Sequence, residues 1–84
     1  METLVPDTEN QLEAALLKAH ADENRYDLIN LYTQAAELSE SSGDIEATCF
    51  FLTHAYVFSL EIGSQQAVKL NQRLVAHGRE SPLT

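Results

Sequence analysis

The chain has 84 residues, enough for one domain of ordinary globular composition, with 44% hydrophobic and 21% charged residues. Five Lys and Arg against thirteen Asp and Glu give a net charge of −8, the wrong sign for binding nucleic acid nonspecifically. A single cysteine excludes an internal disulfide, and three glycines and two prolines leave most of the chain to regular structure.

The first residues, Met1 to Asp7, lack the positive and apolar regions of a secretory signal, and residues 1–6 read as a terminal tail. Helix 1 is expected over about residues 8–20. Thr8 and Gln11 fit a capping box, and Leu12, Leu16 and Ala19 form one apolar stripe. No Gly or Pro ends this helix. Asp22-Glu23-Asn24 offers a cap for a second helix, but one long kinked helix is the alternative reading.

Helix 2, about residues 23–42, places Leu28, Leu31, Tyr32, Ala35 and Leu38 on one side and Asp27, Asn30, Gln34, Glu37 and Ser41 on the other. Gly43 stops it and Asp44 caps the next helix at once, so the two helices are expected to be antiparallel neighbours. Helix 3, about 45–62, has no formal charge from Ala47 to Leu60 and carries Phe50, Phe51, Tyr56 and Phe58. A helix apolar nearly all round is expected to be buried, either wrapped on most sides by helices 1, 2 and 4 or covered in part by another chain. Its uncharged run of 14 residues falls short of the roughly 20 that span a membrane. Gly63 ends it, Ser64 caps helix 4 (about 65–77), and Gly78 closes that helix, leaving residues 79–84 as a second tail. The expected fold is therefore all-α, four short antiparallel helices in a single domain.

The run from about residue 24 to 62 resembles a tetratricopeptide-repeat (TPR) hairpin. Tyr32 stands at the aromatic position of the first helix, Ala35 and Ala36 at the Leu-Gly pair, and Gly43-Asp44 at the turn. Ala55 falls on the later alanine of the second helix. Ser39, Thr48 and Leu52 depart from the pattern, and the terminal proline is missing. The resemblance implies two TPR-like hairpins and a role in protein binding or self-assembly.

Chemistry finds little support. His20, His54 and His77 lie on different helices, and neither they nor Cys49 show the C-x-x-C, H-x-x-x-H or Glu-x-x-His spacing of metal ligands. Cys49 reads as a small buried hydrophobe. No glycine-rich loop or G-x-S-x-G element is present, so the chain reads as non-enzymatic, with no cofactor. His54, among phenylalanines, is either a core histidine with one partner or a pH-sensitive contact.

Residues 1–46 carry a charge of −9 and residues 47–84 a charge of +1. Lys69, Arg73 and His77 recur every four residues as a basic stripe. It reads as surface charge that suits the helix dipole, or as a contact for an acidic helix of a second copy. The sequence thus points to a cytoplasmic interaction or oligomerisation module whose partner is protein, most simply itself as a homodimer, without nucleic acid or membrane. Phe50, Phe51, Tyr56 and Phe58 are the anchors, in core or interface, and Tyr26 and Tyr32 are further binding-surface candidates. The alternative is a small-ligand sensor or regulatory subunit, its aromatic-lined pocket between helices served by His54 or Tyr56.

Overall fold

The computed structural model describes residues 9–83 and consists of four helices: α1 (Glu9–Ala21), α2 (Arg25–Ser41), α3 (Ile45–Glu61) and α4 (Gln66–Ala76). Thr8, on which the expected capping box with Gln11 rests, and the tail at residues 1–6 lie outside the described residues. No strand occurs among the described residues, and no helix there is long and apolar enough to cross a membrane.

Each connection uses one device. Gly43 takes φ +79°, its N–H bonds the Glu40 carbonyl, and the next N–H, of Asp44, reaches back to Ser39. These are the two backbone bonds that close a helix through a left-handed residue. The same pair of bonds recurs at Gly63–Ser64 and Gly78–Arg79. It recurs also at Glu23–Asn24, where a glutamate holds φ +54° without glycine's freedom. The residue after each interhelical turn then accepts a hydrogen bond from the start of the next helix, as the N-cap of α2 and of α3 but one residue ahead of the cap position, Gln65, of α4. Asn24 accepts from the Asp27 N–H, Asp44 from Ala47, and Ser64 from Gln66. Helices 1 and 2 are therefore separate, and the left-handed residues 23, 43 and 63 stand at a regular spacing of 20.

α2 packs on α3, α3 on α4 and α1 on α2. Arg25 at the start of α2 meets Glu61 at the end of α3 (3.0 Å), and Arg79 beyond α4 meets Glu46 at the start of α3 (3.3 Å). Antiparallel neighbours make contacts of this kind. The core joins Ile29 and Ala36 of α2, Cys49, Leu52, Ala55 and Tyr56 of α3, and Ala67, Leu70 and Leu74 of α4. Leu52 is fully buried, which stabilises the fold by about 1.5–3 kcal/mol. The alanines let the helix backbones approach closely.

One expectation is corrected. α3 is not wrapped on most sides. The molecule measures 44 × 30 × 18 Å, and its thin dimension holds about two helix layers at the usual 8–10 Å spacing. α2 and α4 cover the side of α3 bearing Thr48, Cys49, Leu52, Ala55, Tyr56 and Ser59, while Phe50, Val57 and Leu60 stay exposed. Polarity on this helix is partly inverted: two hydroxyl residues are inside and a phenylalanine is outside. Thr48 is buried because its hydroxyl donates to the Asp44 carbonyl (2.7 Å), and Ser59 because its hydroxyl donates to Tyr56 (2.7 Å). Hydroxyls bonded to their own helix bring no unsatisfied group into the core.

The chain after α4 folds back. Asn71, buried on α4, donates through Nδ2 to the Ser81 carbonyl (2.9 Å) and to Tyr56 Oη (3.3 Å). The segment expected to be a tail is thus tied to the core as far as Ser81.

Candidate functional site

Helical spacing on α2 sets Tyr32 one turn before Ala36 and one turn after Leu28, at the seam where α2 meets α3. There its ring becomes the hub of an aromatic cluster. His54 stacks on it at 4.9 Å and Phe58 at 6.1 Å, Phe51 lies tilted at 6.2 Å, and His20 of α1 meets it edge-on at 5.9 Å. Tyr32 Oη and His20 Nε2 are 2.9 Å apart. Burial pushes the Tyr32 phenol above its ordinary value near 10, since the anion loses more hydration than the neutral ring.

Phe50 extends the cluster to the surface. It contacts Phe51 at 5.4 Å and the imidazole of His54 at 4.5 Å, yet 58% of it is exposed. His54 is therefore held between Tyr32 and Phe50, and its Nδ1–H donates to the Phe50 carbonyl (3.0 Å). It is half-buried rather than a core residue. Val57 and Leu60 are 46% and 51% exposed, and with Phe50 and Thr53 they follow the 3-and-4 spacing of one helix face. Neither Val57 nor Leu60 stands out in the sequence as a site residue. That spacing, read outward rather than inward, is the signal that would have found them.

The six aromatic candidates separate by burial. Tyr56, 6% exposed, belongs to the core, its hydroxyl taken by Asn71. Phe51, Phe58 and Tyr32 are half-buried against the core. Phe50 is the exposed member on α3, and Tyr26, 69% exposed, stands apart from this cluster at the start of α2.

The basic stripe does not act as a unit. Arg73 reaches Glu40 (3.2 Å) and Glu37 (3.9 Å) on α2 of its own chain. His77 is half-buried beyond the end of α4, and Lys69 makes no ion pair among the described residues. Lys69 and Arg73 help line a groove of about 760 Å³ between α1, α2 and α4, with Lys18, Asp22, Asp27 and Glu37. The Asp22 carboxylate, 2.8 Å away, holds the Lys18 ammonium above the usual lysine range. No aromatic residue lines this groove; His54 and Tyr56 are elsewhere. Among the described residues no three His, Cys, Asp or Glu side chains are placed to hold a metal ion, and Cys49 is buried.

The fold and this surface define a small all-α helical protein with an aromatic face. No family model matches the chain, and no curated protein and no solved structure is found similar to it.

Proposed function

We propose that this chain is a non-enzymatic protein-binding module, TPR-like in its central hairpin, that pairs with a second copy of itself. The carrying observation is the exposed face of α3, where Phe50, Val57 and Leu60 stand in water beside the half-buried cluster of Tyr32, Phe51, His54 and Phe58. Large apolar side chains grouped on one helix face lose the hydrophobic stabilisation that a partner would supply. Aromatic anchors of this kind dominate the energetics of protein interfaces. The hairpin in which they sit is the part of the chain that resembles the TPR unit, a fold used for binding proteins.

A small-ligand sensor is the second reading, favoured by the size of the groove between α1, α2 and α4, which falls within the range of ligand sites. Six charged side chains stand in its lining among uncharged ones, no aromatic residue does, and some of the charges are already paired, Lys18 with Asp22 and Arg73 with Glu37. That leaves the apolar face as the stronger feature.

Sedimentation over a wide range of protein concentration tests the proposal. The expected result is a mass that rises from one chain toward two, with a melting temperature that climbs in parallel. A single-chain mass throughout would remove self-pairing. Stabilisation of such a monomer by a small molecule in a thermal screen would favour the sensor.

A further inference from the structure

The exposed face of α3 sets an acid and then a large apolar residue at matching distances on either side of its middle. Glu46 and Glu61 bracket it, Phe50 and Val57 stand one turn inside them, and Thr53 and His54 are at its centre. The midpoint of all three pairs falls between residues 53 and 54. Each bracketing acid also has an arginine brought by a neighbouring element: Arg79 for Glu46 (3.3 Å) and Arg25 for Glu61 (3.0 Å). Both ends of the face therefore carry one acid and one base, in a chain whose net charge is −8.

We infer that α3 pairs with α3 of a second copy, antiparallel, about a two-fold axis passing between Thr53 and His54. A two-fold axis requires a surface to complement itself: where one residue meets a second across the axis, the second meets the first on the other side. In this register Phe50 packs against Val57 of the second copy, twice. The ends bring Glu46 and Arg79 of one chain beside Glu61 and Arg25 of the other. Each arginine then finds an acid both within its own chain and across the axis. Chains of −8 repel one another over most approaches, and a face whose two acids are each paired with an arginine adds little to that repulsion. Such local charge balance favours a second copy over a strongly basic partner, which would find its complement on the acidic N-terminal half instead. A contact confined largely to one helix face is small, so the pairing is expected to be weak and concentration-dependent.

This inference rests on the self-pairing proposed above, and the test separates the two. Thr53 is exposed and lies next to the axis. Helix axes about 8–10 Å apart bring facing positions within reach of a disulfide. Thr53→Cys is expected to give a covalent dimer on mild oxidation. Wild type, whose one cysteine is buried, and Glu13→Cys on α1 stay unlinked. Phe50→Asp raises the dissociation constant about tenfold or more, as the loss of an interface anchor does.

A charge exchange supplies a second arm. Arg25 and Glu46 sit at opposite ends of α3 within one chain and meet only across the axis. Arg25→Glu is expected to weaken association, and adding Glu46→Arg to restore it, with circular dichroism confirming that each variant folds. A chain that never dimerises overturns both the pairing and its geometry. A dimer in which Thr53→Cys does not link and the exchange does not rescue leaves self-pairing standing and overturns the α3 register.

Discussion

His20 Nε2 lies 2.9 Å from Tyr32 Oη, an observed side-chain hydrogen bond between α1 and α2. α1 packs mainly on α2, with His20 also edge-on to Phe58 of α3 at 6.1 Å, so this bond, that contact and the burial of Leu12 and Ala19 hold the first helix in place. Tyr32→Phe keeps the ring and its stacking on His54 but removes the bond. The expected cost is about 0.5–1.5 kcal/mol in chemical denaturation. The pH dependence has a definite sign. A phenol whose folded pKa is raised binds its proton more tightly when folded. Its contribution is present in full below the ordinary value near 10 and lost as pH rises through the higher folded value. The wild type should therefore lose stability at alkaline pH by an increment that Tyr32→Phe lacks. Equal alkaline slopes for the two proteins would refute the assignment.

Glu23 and Gly43 occupy equivalent turns, and only one of them suits its conformation. A non-glycine residue in the left-handed region is strained by roughly 1–2 kcal/mol. Glu23→Gly is expected to raise stability by up to about 1 kcal/mol, the gain being reduced by the greater freedom of glycine in the unfolded chain. Gly43→Ala should destabilise by a similar amount. Nothing lies within 4 Å of a Cβ built at Gly43, so that cost is conformational and not steric. Melting curves of the two single variants moving in opposite directions would establish the point.

The same comparison explains why some helix ends were legible and one was not. Gly43, Gly63 and Gly78 announce left-handed residues, and Asp44 announces a cap, so the C-terminal ends of α2, α3 and α4 and the start of α3 follow from local chemistry alone. Glu23 carries no such signal. Its φ is held by the bonds of residues 23 and 24 to His20 and Ala19, which exist only once the turn has formed. The covered side of α3 was hidden for a different reason. Thr48 and Ser59 count as polar on a helical wheel, but their hydroxyls are satisfied within α3, and they act as small core residues. Phe50 counts as apolar but lies where neither α2 nor α4 reaches. The spacing of Lys69, Arg73 and His77 was plain. That Arg73 would meet Glu37 and Glu40 depends on α4 lying beside α2, which no local pattern encodes.

Leu52 and Phe50 are two residues apart on α3 and differ in what they hold. Leu52→Ala empties a fully buried site and is expected to cost about 2–5 kcal/mol. A domain of this size buries a modest share of its surface, so that loss should unfold much of the population at 37 °C. Phe50→Ser gives up exposed ring contacts with Phe51 and His54, and should change stability by no more than about 1 kcal/mol. Urea titrations of both variants at low protein concentration, where pairing is absent, check the difference. If Phe50→Ser proved as damaging as Leu52→Ala, Phe50 would be a core residue and the exposed face would lose its chief anchor.

Asn71 is the one buried side-chain amide among the described residues, and its bonds to Tyr56 and Ser81 both reach outside α4. Its Nδ2 donates to Tyr56 Oη and to the Ser81 carbonyl, so it links the core of α3 to the returning C-terminal segment. Asn71→Ala leaves the tyrosine hydroxyl and the Ser81 carbonyl without this donor. The expected loss is about 1–3 kcal/mol, the usual cost of taking the partner from a buried polar group, here the Tyr56 hydroxyl, since Ser81 is exposed. Because the Arg79 side chain adds to this only an exposed pair with Glu46, worth about 0–1 kcal/mol, the segment beyond the Arg79–Leu74 backbone bond should also detach. Hydrogen exchange should therefore accelerate at residues 79–83 in Asn71→Ala more than in Arg79→Ala, while α2 keeps its protection in both. Equal acceleration in the two variants would mean that the ion pair, and not the amide, holds the segment down.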